Sequence, residues 1–317
     1  MIHLFENVRV NWLAKRKLFF AITVALVLIG ATSLIVKGGF RYGVDFKGGT
    51  IARIQFNEKT DIGKLRQAVP DAEIQELVTN DPTKSEFLID YQGKDDLSAD
   101  ASVGRVAITN ALQKSFAGKF EIRNVQSVGP KVGQDLRRQA VLATLYALGG
   151  MLVYIAFRFE WIFGAAAVFA ALHDTLITLG LFSLFNREIN LTVIAALLTL
   201  VGYSMNDTIV VFDRIRENLK FRRRDNFETI MNDSINQTLS RTILTSGLTF
   251  LTVLALFLFG GEIINHFAFA MVVGIIIGTY SSIAVAAPLV LVYTNFRGTF
   301  ARQAVSTAKV PKPVKAK

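Results

Sequence analysis

Gly202-Tyr203-Ser204-Met205-Asn206-Asp207-Thr208-Ile209-Val210-Val211-Phe212-Asp213-Arg214-Ile215-Arg216-Glu217-Asn218 sets one carboxylate, Asp207, inside a segment that is otherwise apolar up to Phe212. From Ile189 to Thr208 the polar residues are Asn190, Tyr203, Ser204, Asn206 and a few threonines, and Asp207 carries the only charge. A run of about 20 such residues reads as a membrane-crossing helix. An Asp near the centre of such a helix costs roughly 2.5–3.5 kcal/mol on insertion scales, so it faces a bundle interior or a water path and marks an ion or proton route. The structural alternative is a hydrogen bond between spans, made to Asn206, Ser204 or a backbone carbonyl.

The rest of the chain extends this reading. Hydrophobic residues make up 51% of the 317, and mean hydropathy is +0.40. They gather in runs near 18–36, 139–157, 162–185, 189–212, 243–260 and 266–294, each long enough for roughly 30 Å of hydrocarbon. Six spans are expected. Lys and Arg set their orientation: Arg9, Lys15, Arg16 and Lys17 precede the first run, Arg158 follows the second, seven lie from Arg214 to Arg241 and six from Arg297 to Lys317. The opposite side has Arg187 alone in its short loops. Cationic loops stay cytoplasmic, so residues 1–17, a loop near 213–240 and the basic tail 295–317 are expected inside, with both termini cytoplasmic. The net charge of +10 is then a topology signal and an attraction to anionic lipid headgroups. No aromatic-interleaved basic patch supports nucleic-acid binding.

The first run could be a cleaved signal peptide, with small residues at Ala31-Thr32-Ser33. Its 19 residues are long for that role, and cleavage would reverse the parity of the loops, so a retained helix over 18–36 is expected. The chain has no cysteine, which excludes a disulfide framework, a zinc-finger spacing and a thiol nucleophile.

Between the first two spans, residues 37–136 read as an extracytoplasmic domain. Strands are expected at Ile51–Phe56, Ile74–Thr79, Phe87–Tyr91 and Phe120–Val128, and helices at Asp61–Val69 and Asp96–Phe116. The order βαββαβ is that of a ferredoxin-like α+β sandwich, a fold that identifies no function by itself. The expected fold class is therefore an α-helical polytopic membrane protein, with one such domain outside the membrane and five further helices over 137–294. Gly43-Val44-Asp45-Phe46-Lys47-Gly48-Gly49-Thr50 lacks the GxxxxGK[ST] spacing and leads into a strand, so it reads as a tight turn rather than a phosphate loop, with Asp45 and Lys47 a solvated pair.

Together, Gly43–Thr50, His173-Asp174 with Thr178 and Gly180, the Gly202–Asn218 block, and Asn236-Gln237-Thr238-Leu239-Ser240-Arg241-Thr242-Ile243-Leu244-Thr245-Ser246 resemble the SecD-SecF family of bacterial protein-export membrane proteins. A member looks like half of a resistance-nodulation-division transporter. The resemblance covers nearly the whole chain. It implies a proton route through Asp207, with Asn206 beside it and Arg241 as charge partner, and proton flow that drives late preprotein movement across the bacterial inner membrane. It also implies a SecD-like partner with six more spans, the preprotein and the Sec translocation channel as partners, and no soluble cofactor.

The residues can be weighed beside that resemblance. Desolvation favours the neutral form of a carboxyl and a nearby guanidinium favours the charged form, so approach or withdrawal of Arg241 switches proton affinity at Asp207. Thr242, Thr245, Ser246 and Thr249 form a polar strip after Arg241, which suggests that it faces the bundle. Asp174, with His173, is either a further relay member or a polar pair that fixes helix contacts. Asp213 reads as an interfacial ion pair or a secondary member of the route. Gly274 and Gly278 form a GxxxG packing site, and Gly149-Gly150 a close-approach site. Three other readings are weighed: an intramembrane aspartyl protease using Asp174 and Asp207, which lacks the family's glycine-framed contexts; a noncatalytic scaffold; and a small-molecule exporter subunit, for which six spans and one small domain are too few.

Overall fold

The structure, a computed structural model, describes residues 9–297 apart from 71, 78, 80, 82, 92–101, 159 and 223. A 3-10 turn (Leu13–Lys15) leads into α1 (Arg16–Val36), followed by a short α2 (Val44–Lys47). The sheet domain comprises β1 (Gly49–Phe56), α3 (Ile62–Ala68), β2 (Ala72–Leu77), β3 (Ser85–Tyr91), α4 (Ser102–Phe116) and β4 (Phe120–Val128). Then come α5 (Pro130–Arg158), α6 (Trp161–Leu184), α7 (Leu191–Phe221), α8 (Phe227–Phe259), α9 (Glu262–Ser281), a π-helical turn (Ser282–Ala286) and α10 (Ala287–Arg297). Among the described residues, six helical runs are long and apolar enough to cross a membrane: Leu13–Val36, Pro130–Ile155, Trp161–Leu184, Leu191–Phe221, Phe227–Phe259 and Ile264–Phe296. The protein is a polytopic helical membrane protein with one small α+β unit.

In that unit the strand order is β2-β3-β1-β4 with every neighbouring pair antiparallel, the arrangement of the split βαβ motif. β1 alternates strictly, placing Ala52, Ile54 and Phe56 against Leu65, Phe87, Ile89, Ile108 and Leu112. Asp61 starts α3 by accepting from Gly63 N at 2.8 Å, so the helix begins one residue later than expected. The first part of the helix expected over Asp96–Phe116 lies outside the described residues; from Ser102 onward it is helical.

Three expectations change. The stretch 213–240 is not a loop: α7 continues to Phe221, and α8 starts at Phe227 with Asn226 as its cap. Its charge hides an amphipathic pattern in which Ile215, Phe227, Ile230, Met231 and Ile235 pack inward, and apolar burial at helical spacing outweighs local polarity. The second membrane helix begins at Pro130, earlier than 137, because proline suits the first helical position and lets α5 run unbroken out of the sheet domain. Asp45 is not a solvated partner of Lys47. Its carboxylate accepts from Leu191 N at 2.9 Å, in the first turn of α7. Gly43 N to Ile189 O at 2.9 Å and Ile189 N to Arg41 O at 2.8 Å tie the same segment to the α6–α7 connection. Gly48 has φ of +80°, and a Cβ there would sit 2.9 Å from the Pro130 backbone, so only glycine fits this turn.

Within the bundle, helices meet at small residues. A Cβ on Gly30 of α1 would lie 2.8 Å from Gly180 Cα on α6, and Ser33 Oγ and Ser183 Oγ are 2.9 Å apart beyond that crossing. Gly274 and Gly278 of α9 lie against Leu200 and Ser204 of α7, so this GxxxG packs within the chain. Gly149 and Gly150 are exposed and meet nothing within 4 Å. Gly180→Leu is expected to force α1 from α6 at a cost of about 1–3 kcal/mol, whereas Gly149→Leu should be silent. Thermal denaturation of the detergent-solubilised chain checks both, and equal midpoints would mean the α1–α6 crossing is looser than described.

Candidate functional site

Asp207 sits in the middle of α7 and is 3% exposed. Its carboxylate accepts a hydrogen bond from Ser246 Oγ of α8 at 2.7 Å. The interhelical donor is thus Ser246, and neither Asn206 nor Ser204 bonds to it among the described residues. Thr242 precedes Ser246 by one turn and is also buried, with no partner for its hydroxyl within the described residues.

Arg241 does not share that buried face. Five residues before Ser246 is about 140° around a helix of 100° per residue, so a helix that turns Ser246 to α7 turns Arg241 away. Arg241 is exposed, and no ion pair joins it to Asp207 among the described residues. The polar strip is thus divided: Thr242 and Ser246 are buried against this chain's own helices, whereas Arg241 lies exposed on its surface. Arg241 instead lines a polar cavity of about 600 Å³ with Tyr154, Asp213, Arg214, Glu217 and Gln237. Asp213 and Asn206 are both exposed; Arg214 bonds Glu217 and Gln237, each at 2.6 Å.

The densest buried polar cluster forms around Asp174, which is 1% exposed. Its Oδ2 accepts from Ser204 Oγ of α7 at 2.5 Å and from Ser281 Oγ of α9 at 2.7 Å. Its Oδ1 meets His173 Nδ1 at 2.9 Å. The next residue along, Ser282, reaches Thr208 of α7, with the two hydroxyls 3.0 Å apart. Adjacent residues on a helix point about 100° apart, which lets Ser281 serve α6 while Ser282 serves α7 at the point where the helix widens into its π turn. His173 Nε2 is buried with no partner within the described residues. Ser281, Ser282 and Thr208 are the residues that sequence reasoning missed; two serines in an apolar span were the available signal.

This geometry does not favour the protease reading. An aspartyl dyad needs two carboxylates that share a proton, whereas Asp174 bonds Ser204 and Ser281 and Asp207 bonds Ser246, with no common partner among the described residues.

Six membrane-crossing helices with two carboxylates buried at mid-bundle define a class: polytopic membrane proteins with ionisable groups inside the bilayer, which in such proteins mark transport pathways. Comparison with known proteins narrows the class. The model described as "Protein export membrane protein SecD/SecF, C-terminal" matches residues 107–296, and that of the SecD/SecF GG motif matches residues 33–59. The protein translocase subunit SecF of Koribacter versatilis is 42% identical over 94% of this chain and 95% of its own length. That of Calditerrivibrio nitroreducens is 45% identical over 91% and 95%. A crystal structure of SecDF, a translocon-associated membrane protein from Thermus thermophilus, aligns at 38% identity with a TM-score of 0.77, over 91% of this chain and 39% of that one. SecDF in its super-membrane-facing form aligns with a TM-score of 0.70 over 96% and 41%. The chain spans about two fifths of those solved chains and nearly the whole length of the curated relatives. It belongs to the SecD/SecF family of protein-export membrane proteins, on the SecF side.

Proposed function

We propose that this chain is a subunit of a complex in the bacterial inner membrane that uses the proton motive force to promote late preprotein translocation, with Asp207 as its proton site and Arg241 as the gate. The observation that carries the reading is a buried carboxylate held, among the described residues, by the hydroxyl of Ser246, with the guanidinium of Arg241 five residues earlier on the same helix and not paired with it. Such a group is satisfied enough to persist and open enough to exchange a proton. On one side the polar cavity of about 600 Å³ brings Asp213 and Arg241 together. Ser246 also borders a mainly apolar cavity of about 420 Å³ with Phe250, Ile275 and Ile283. Driven inward by the proton motive force, the proton would leave Asp207 on the Arg241 side. By the positive-inside rule that end, with Arg214, Arg216 and Arg222, is cytoplasmic, and so are both termini.

Exposed Asn206, Asp213, Arg241 and Thr245 would be costly against lipid tails. A SecD-like chain of six further spans is the cover that suits them, and it would complete a twelve-helix bundle around the route. The preprotein and the translocation channel are the complex's remaining partners, and anionic lipid surrounds it.

The test is export of a preprotein into vesicles under an imposed proton gradient. Arg241→Gln, assembled with the partner, is expected to lose most of the gradient's stimulation while export without a gradient is unchanged. Full stimulation in that variant would remove Arg241 from the mechanism.

A further inference from the structure

At the sheet-domain end of the bundle, the connections after α1 and after α6 enclose a cavity of about 270 Å³ whose lining includes Lys37, Arg41, Ser183, Asn186 and Arg187. Three of its lining residues are cations and none is a carboxylate. Two of those charges are accounted for. Arg41 pairs with Glu188 at 3.1 Å, and Lys37 Nζ donates to Ser183 O at 2.5 Å and Leu184 O at 3.1 Å, where the last carbonyls of α6 emerge.

Arg187 is held differently. It donates to Asn265 Oδ1 at 2.5 Å and lies 4.3 Å over the Phe269 ring and 5.5 Å over the Phe257 ring, with no ion pair among the described residues. Burial alone lowers its pKa: the guanidinium has given up water without gaining an anion in exchange. The fork of donors that a guanidinium presents matches a phosphate.

The location selects among phosphates. Lys37 follows the span Leu13–Val36 and Arg187 follows Trp161–Leu184, so the cavity lies where hydrocarbon gives way to headgroups. Ile35, Val36 and Phe185 beside it are 80%, 78% and 60% exposed, an apolar flank that a free phosphate would not use. Gly38 and Gly39, both at positive φ with nothing within 4 Å of a Cβ, keep the mouth clear of side chains.

We propose that this cavity is a binding site for an anionic membrane phospholipid of the leaflet on the sheet-domain side, with Arg187 and Lys37 on the phosphodiester and the acyl chains along Ile35, Val36 and Phe185. The lipid would fasten the α1 and α6 ends together beneath the sheet domain.

Native mass spectrometry of the full chain in detergent, titrated separately with phosphatidylglycerol and phosphatidylcholine, tests the site. Phosphatidylglycerol is expected to bind about tenfold tighter to the native chain, with Arg187→Gln abolishing the preference. Arg187→Lys, which keeps the charge and loses the fork, should fall between. Millimolar inorganic phosphate should leave lipid binding to the native chain unchanged, a measurement that needs no variant to fold. Undiminished preference in Arg187→Gln, equal binding of both lipids by the native chain, or displacement of phosphatidylglycerol by inorganic phosphate would overturn the proposal, the last in favour of a free-phosphate site.

Discussion

An Asp207→Asn chain assembled with its partner is expected to export preprotein under a proton gradient no faster than without one. The proton falling through about 150 mV releases roughly 3–4 kcal/mol, comparable with the cost of an ionised Asp at mid-membrane and enough to shift a two-state helix arrangement by a factor of about 100 or more. None of that energy is coupled if the group at position 207 cannot change protonation. Asn keeps the volume of Asp, and its carbonyl can still accept from Ser246 Oγ, now at 2.7 Å, so packing should survive and the loss should be one of coupling. Assembly is checked by co-purification, and the readout is the ratio of export with and without the gradient, expected to fall to about one. A ratio like that of the native chain would make the carboxylate structural and favour the scaffold reading. Replacing the proton gradient by a sodium gradient in the native chain decides which ion Asp207 serves.

What could be read in advance follows the range of the forces involved. The six spans rest on summed transfer energy over about twenty residues, a signal that survives any local error, and each expected run lies within or largely over an observed helix. The βαββαβ order was legible because alternation in Ile51–Phe56 and capping at Asp61 are local. The stretch 213–240 misled because its charges dominate composition while its buried face is carried by a few residues such as Ile215 and Ile235. Asp45 misled because its partner, the Leu191 amide, is 146 residues away and nothing local announces it. The same limit applies at the candidate site. A carboxylate in an apolar run is visible from sequence, but Ser246 as its donor, and the outward turn of Arg241, follow from how α7 and α8 are rotated against each other. Helix rotation is set by packing over the whole bundle, with Gly274 and Gly278 seated on Leu200 and Ser204.

Asp174 is where the second large effect is expected, and it is of a different kind. Its carboxylate joins α6 to α7 through Ser204 and to α9 through Ser281, and it also holds the ring of His173. Hydrogen bonds between membrane helices are worth about 0.6 kcal/mol on average and up to about 1.7, and stranding their buried partners adds to the loss. Asp174→Ala is therefore expected to cost about 2–4 kcal/mol, seen as a lower denaturation midpoint in detergent and reduced assembly with the partner. Ser281→Ala removes one arm of the cluster and should cost about 1 kcal/mol, since Ser204 and His173 still satisfy the carboxylate. Asp174→Asn separates structure from transport. The amide can accept from a serine, so stability should largely return; if gradient-driven export returns with it, Asp174 is a fastening between helices. If stability returns and stimulation does not, His173 and Asp174 belong to the proton route, and the buried His173 Nε2, which has no partner among the described residues, becomes the atom through which the proton reaches that pair.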